Sequence, residues 1–163
     1  MYDHSMRTHA AVALTALLGC HTSTPVDIPQ WQHVQVASYP ALGTLLPGCG
    51  ETSRMQIDAA SAQTWRACKV TYEGIEYIVG VDKKGTIHFL QTEDDAFATP
   101  EGIRVRSSVA QVVAAGAWKP GPELGWGYHT QLPSGWSVYF GHWDAKELPF
   151  DATAEMFFKR SPP

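Results

Sequence analysis

The 163-residue sequence predicts an α+β domain: an antiparallel sheet of two hairpins plus a C-terminal strand, with one short helix packed on one face. Three observations point there. Apolar and polar residues alternate on both sides of Asp82-Lys83-Lys84-Gly85, and do so again around Pro133-Ser134-Gly135. That is the period of half-buried strands joined by tight turns. Between the two hairpins, the stretch from Ser108 to Gly116 switches to helical spacing. Strands, then a helix, then strands fit a helix laid on an antiparallel sheet.

Taken in order, residues 30–50 carry Trp31, Val34, Val36, Tyr39, Leu42, Leu45 and Leu46, broken by Pro40, Gly43, Pro47 and Gly48. They read as one short strand near 33–37 followed by loop. Residues 54–57 read as another short strand, and 58–63 as either a helical turn or a loop. Ile75, Tyr77, Val79 and Val81 then alternate with Glu76, Ile78 and Gly80, and Ile87 and Phe89 with His88 and Leu90. A three-residue loop with Gly85 left-handed pairs Val81 with Ile87 and Val79 with Phe89, which sends all four to the core face. Residues 91–101 hold four acids in a loop anchored by Phe97. Asp94 and Asp95 lack the oxygen-ligand spacing of a calcium loop, so the segment reads as a solvated acidic turn.

The central helix is entered through Ile103 and Val105, which alternate with Arg104 and Arg106. Ser108 and Gln111 fit a capping box, Val109, Val112 and Val113 form the apolar face, and Gly116 ends the helix. So short a helix is marginal alone in water and must dock on the strands. After a Pro- and Gly-rich loop at 117–124, the second hairpin pairs Leu132 with Trp136, Thr130 with Val138 and Tyr128 with Phe140. This register puts Trp126, Tyr128, Leu132, Trp136, Val138 and Phe140 on one face, and His129, Gln131, Ser137 and Tyr139 on the other. A strand over 154–159 closes the sheet.

The N-terminus carries a different signal. Arg7 precedes an uncharged run over 10–19 that is too short to span a bilayer but suits a signal-peptide apolar region. It ends Leu17-Leu18-Gly19-Cys20, which resembles the lipobox of bacterial lipoproteins. The resemblance implies cleavage before a lipidated Cys20, so that 1–19 is a signal peptide, 20–30 a lipidated cysteine with a flexible tether, and 31–163 a single globular domain. With His21 rather than Asp after the cysteine, it also implies outer-membrane anchoring facing the periplasm. Of three cysteines, lipidation of Cys20 leaves Cys49 and Cys68. In an oxidising compartment these would close a disulfide worth about 3 kcal/mol for a loop of this size, or they stand as two buried thiols. Spacing does not decide between the two.

The stretch Gly102-Ile103-Arg104-Val105-Arg106-Ser107-Ser108-Val109, continuing to Val112, Val113 and Gly116, resembles the entry into the helix of several small bacterial envelope lipoproteins, with Arg106 where their pattern has Gly. It is also similar to domains related to the outer-membrane assembly lipoprotein BamE and to the beta-lactamase inhibitor protein fold. The resemblance implies compartment and style of fold, and no functional residues.

The chemistry is sparser. A net charge of -4 and a pI near 5.9 argue against nucleic acid as a partner. No Gly-x-Ser-x-Gly motif is present, and His142 with Asp144 are two groups at a spacing no standard zinc motif uses. No metal or cofactor is therefore expected. The aromatic residues suggest a stacking platform, but those patterned with Leu132 and Val138 read as core. That leaves His129, Tyr139 and Trp143 as candidate binding residues. The expected function is a lipid-anchored, non-catalytic binding domain whose partner is an envelope protein or cell-wall component. The alternatives are an inhibitor of a secreted hydrolase acting through loop 91–101, and a small envelope enzyme pairing His88 or His129 with a carboxylate.

Overall fold

A computed structural model describes residues 31–49, 53–56, 64–142 and 145–161. Among them the fold is mostly β, which corrects the α+β expectation: nine strands share one sheet, and the helix has only six residues. The strands are β1 (His33–Gln35), β2 (Ser53–Gln56), β3 (Thr64–Tyr72), β4 (Ile75–Val81), β5 (Ile87–Thr92), β6 (Gly121–Glu123), β7 (Gly127–Gln131), β8 (Ser137–Tyr139) and β9 (Met156–Arg160); α1 is Val109–Ala114. The sheet runs β1-β3-β4-β5-β9-β8-β7-β6, and β2 also pairs with β3. It is mixed rather than antiparallel, because β1 lies parallel to β3.

Two strands escaped the sequence reading for local reasons. In β3, Arg66 shares the parity of the inward residues Cys68 and Val70, both fully buried, while Ala67 of the other parity is buried too, so the alternation is obscured. In β6, Gly121 and Pro122 read as loop; Pro is tolerated there because β6 is the edge of the sheet.

The first hairpin differs from its expected register by one bulge. Val81 pairs with Ile87 as anticipated, but the ladder shifts between Gly80 and Val81, so Val79 faces Leu90 and Gly80 faces Phe89. A one-residue shift reverses every side chain beyond it. Leu90 therefore joins the main core, and Phe89 crosses to the other face. The second hairpin keeps its expected register. Thr130 pairs with Val138, the Leu132 amide donates to Trp136 O at 2.8 Å, and Gly135 takes φ 81°.

The main core lies on one face, where α1 and the loops cover β3–β5 and β7–β9. Ser108 caps α1 with the expected box: its side chain accepts from the Gln111 amide while Gln111 Oε1 accepts from the Ser108 amide. Ala154 holds the helix entrance, accepting from the Arg106 amide at 2.7 Å and donating to Ser107 O at 2.8 Å. Val112 is fully buried and Val109 packs beside it, but Val113 is 41% exposed, so the docking stripe is narrower than expected. Phe97 anchors the acidic loop against Tyr77, Trp136 and Phe157. In that loop Asp94 accepts the Ala96 and Glu76 amides at 2.9 and 3.1 Å, tying the turn to β4. Cys49 and Cys68 are both buried at disulfide distance, with Cα atoms 5.6 Å apart.

Candidate functional site

The second face carries its own cluster. Phe89 and Phe158 are fully buried and Met156 nearly so, with Met55, Trp65, Trp126 and Tyr139 packed around them. Strand β9 serves both faces: Met156, Phe157 and Phe158 are consecutive and all buried, with Phe157 in the main core and the other two on this face.

The sheet is rolled toward this face. In a flat sheet β6 would lie three strand spacings, about 14 Å, from β9. Instead Glu123 of β6 accepts both guanidinium nitrogens of Arg160 on β9, each at 2.8 Å. Trp126, in the β6–β7 turn, reaches still further. Its ring stacks on Phe158 at 5.0 Å and 27°, and lies 5.8 Å from Phe89 on β5. Gly127 at φ 74° breaks the strand alternation just after Trp126. Trp126 thus falls on the face opposite Tyr128, which corrects its expected place in the main core.

His129 sits inside this arrangement and donates from Nε2 to Glu123 Oε2 at 2.5 Å. Its Nδ1 is buried and has no hydrogen-bond partner among the described residues. Across the β7–β8 ladder His129 faces Tyr139, so two of the three expected binding residues are neighbours. Trp143 and Asp144 lie outside the described residues, as does Cys20. The Arg160 hydrogen bonds hold the Glu123 carboxyl below its ordinary range against the cost of burial, and His129 adds to the effect. Burial, with the Glu155 charge nearby, pushes the Tyr139 hydroxyl up.

A second histidine–carboxylate pair lies at the far end of the face. His88 Nε2 is 3.3 Å from Asp82 Oδ2, and Trp65 packs on the imidazole at 4.7 Å between ring centres. Asp82 Oδ1 also accepts the Lys84 and Thr86 amides, so this carboxylate shapes the hairpin turn; the Thr86 bond is the main reason its carboxyl sits below its ordinary range. A depression of about 240 Å³ is lined by Lys69, Glu76, Ile78, Gln91, Thr92, Glu93 and Asp94. Lys69 and Glu76 pair within it at 2.5 Å. Neither histidine lines it.

Sequence reasoning missed Glu123, Arg160 and Trp65 here and misplaced Trp126 and Phe89. One signal was available for the turn: Glu123-Leu124-Gly125-Trp126-Gly127 sets a Trp between two glycines, a turn signature that dates the reversal before β7.

No protein-family model, curated protein or solved structure matches this chain.

Proposed function

We propose that the chain is a lipid-anchored, periplasm-facing binding domain of the cell envelope that performs no chemistry, and that it meets an envelope protein or cell-wall component on the second sheet face. The observation that carries this reading is the cysteine arrangement. Cys49 and Cys68 meet at disulfide distance, which leaves Cys20 as the odd cysteine, and Cys20 is the one placed after Leu17-Leu18-Gly19. An oxidised pair in the folded domain and a lipidated third residue belong to the same compartment.

The second face supports the binding half. Half-buried Trp65, Trp126 and Tyr139 frame it beside charged groups, the mixture that rims recognition sites. The alternative of a small enzyme needs a histidine free to move a proton. His129 and His88 each meet a carboxylate, Glu123 and Asp82, but neither lines the depression in which a substrate would have to sit. The hydrolase-inhibitor reading retains one favourable observation: Phe97 and Asp94 pre-order loop 91–101 while Glu93 and Asp95 stay exposed, so insertion into a cleft costs little ordering entropy.

The test is the intact mass of the protein taken from the membrane of a bacterial host, with alkylation before and after reduction. A chain that begins at a triacylated Cys20, with two thiols reactive only after reduction, is expected. A full-length chain with three thiols open to alkylation refutes the reading.

A further inference from the structure

The β6–β7 hairpin is built as a latched strap. Its tip, Leu124 to Gly127, includes Gly125 and Gly127, both at positive φ (78° and 74°), on either side of Trp126. Trp126 lies over fully buried Phe158 and Phe89, with the Arg160 guanidinium 5.8 Å from its ring centre. The strap is held down by polar contacts rather than by a buried ladder: β6 has three residues at the sheet's edge, and Glu123 bonds to Arg160 and His129. Leu124 beside it is 90% exposed, so the tip is anchored through Trp126 and Glu123.

The residue that fills the site shows what the site accepts. Its floor is two phenylalanine rings and its wall a guanidinium, surfaces that attract the face of a planar aromatic ring. Trp126 is a tethered example of such a ring.

We propose that Trp126 is an internal plug, that the Glu123–Arg160 pair is its latch, and that an exposed aromatic side chain of a protein partner takes its place when the strap lifts. This rests on the binding-domain reading and names the partner's anchoring group. An aromatic anchor seated in a desolvated pocket is the usual centre of a protein interface. In the closed form the partner's apparent affinity is reduced by the small fraction of open strap, so loosening the latch tightens binding.

The experiment uses the full chain carrying Glu123→Gln, with Arg160→Lys as a second variant should the first fail to fold. Hydrogen exchange is followed residue by residue, and equilibrium dialysis measures binding of N-acetyl-tryptophanamide, with N-acetyl-leucinamide as the apolar control. Losing a charge-assisted bidentate bond is expected to speed exchange of the Trp126 and Tyr128 amides about tenfold while the β3–β4 ladder is unchanged. The tryptophan amide is expected to bind the variant about tenfold more tightly than the parent, by the same shift in open fraction. Equal affinities for variant and parent, exchange that rises across the whole sheet, or equal binding of the leucine amide each overturn the proposal. The mass measurement above is independent of all three, so the strap can fail while the lipoprotein reading stands, and the reverse.

Discussion

Arg106 offers the sharpest test of the backbone description. Its amide donates to Ala154 O at 2.7 Å, and it occupies the third position of the turn closed by the Ser107 amide on Arg104 O at 3.0 Å, with φ at 69°. That conformation costs an L-residue about 1–2 kcal/mol. Replacing Arg106 by Gly relieves the strain and keeps the amide bond, but frees the unfolded chain at a cost of about 0.5–1 kcal/mol. The side chain's one ion pair, Arg106 Nη2 to Asp95 Oδ2 at 3.4 Å, is 79% and 68% exposed on its two sides. Such a pair contributes only a few tenths of a kcal/mol. Arg106→Gly is therefore expected to be about 0.5 kcal/mol more stable than the parent, a rise of about 1–2 °C in melting temperature. Arg106→Ala separates the terms, since it loses the ion pair and keeps the Cβ. It should fall below the Gly variant by about 1 kcal/mol in urea unfolding at constant m-value. A Gly variant less stable than the Ala variant refutes the left-handed assignment.

Three further outcomes are expected. Val112→Asp places an unpaired charge at a fully buried position and should cost more than about 3 kcal/mol, enough to unfold a marginal domain; an unchanged circular-dichroism melt would show that α1 does not dock there. Gly85→Val meets both φ 89° and the Leu46 carbonyl 3.3 Å from a Cβ, so a loss of at least about 1–2 kcal/mol is expected, and a neutral urea midpoint rejects the turn geometry. Glu123 and Glu101 have folded carboxyls held below their unfolded values, Glu123 by Arg160 and Glu101 by the Ser134 amide and hydroxyl against its burial cost. Their stabilisation is complete above the unfolded value and is lost as pH falls through the folded one. Urea midpoints between pH 3 and 7 should fall on the acid side, and Glu123→Gln should flatten that limb; an identical acid limb in the variant removes Glu123 from the account.

The legible parts of the fold were those decided within a few residues. The capping box of Ser108 and Gln111, the left-handed Gly85 and Gly135, and the register around Pro133 are local chemistry, and each stands as expected. What stayed hidden depended on residues far apart in the chain. No local rule tells that β1 runs parallel to β3 or that β9 enters between β5 and β8. The α+β expectation failed because strands at β3 and β6 went unread and the helix is only six residues long, so that sheet dominates. For the site, His129 and Tyr139 were legible because alternation sends them away from Val138. Glu123 and Arg160 were not, because 37 residues separate them and only the roll of the sheet brings them together.

That roll also decides how the second face should be understood. A sheet with one buried face shows clean alternation, and every apolar residue of the wrong parity then looks like noise or like a bulge. Here Phe89 is of the wrong parity because of a real bulge, whereas Phe158 follows Phe157 with no irregularity in the ladder. Both are nonetheless fully buried. A second face buried merely for stability would be covered by apolar groups with their polar neighbours pointing outward. This one has apolar cover from Met55, Trp65, Trp126 and Tyr139, but Trp126 sits on a glycine-flanked turn held through a carboxylate, a guanidinium and an imidazole whose second nitrogen is buried without a partner among the described residues. An unsatisfied buried nitrogen costs about 1–3 kcal/mol and adds nothing to packing. On the binding-domain reading proposed above, such a cover is a closed site rather than a second core.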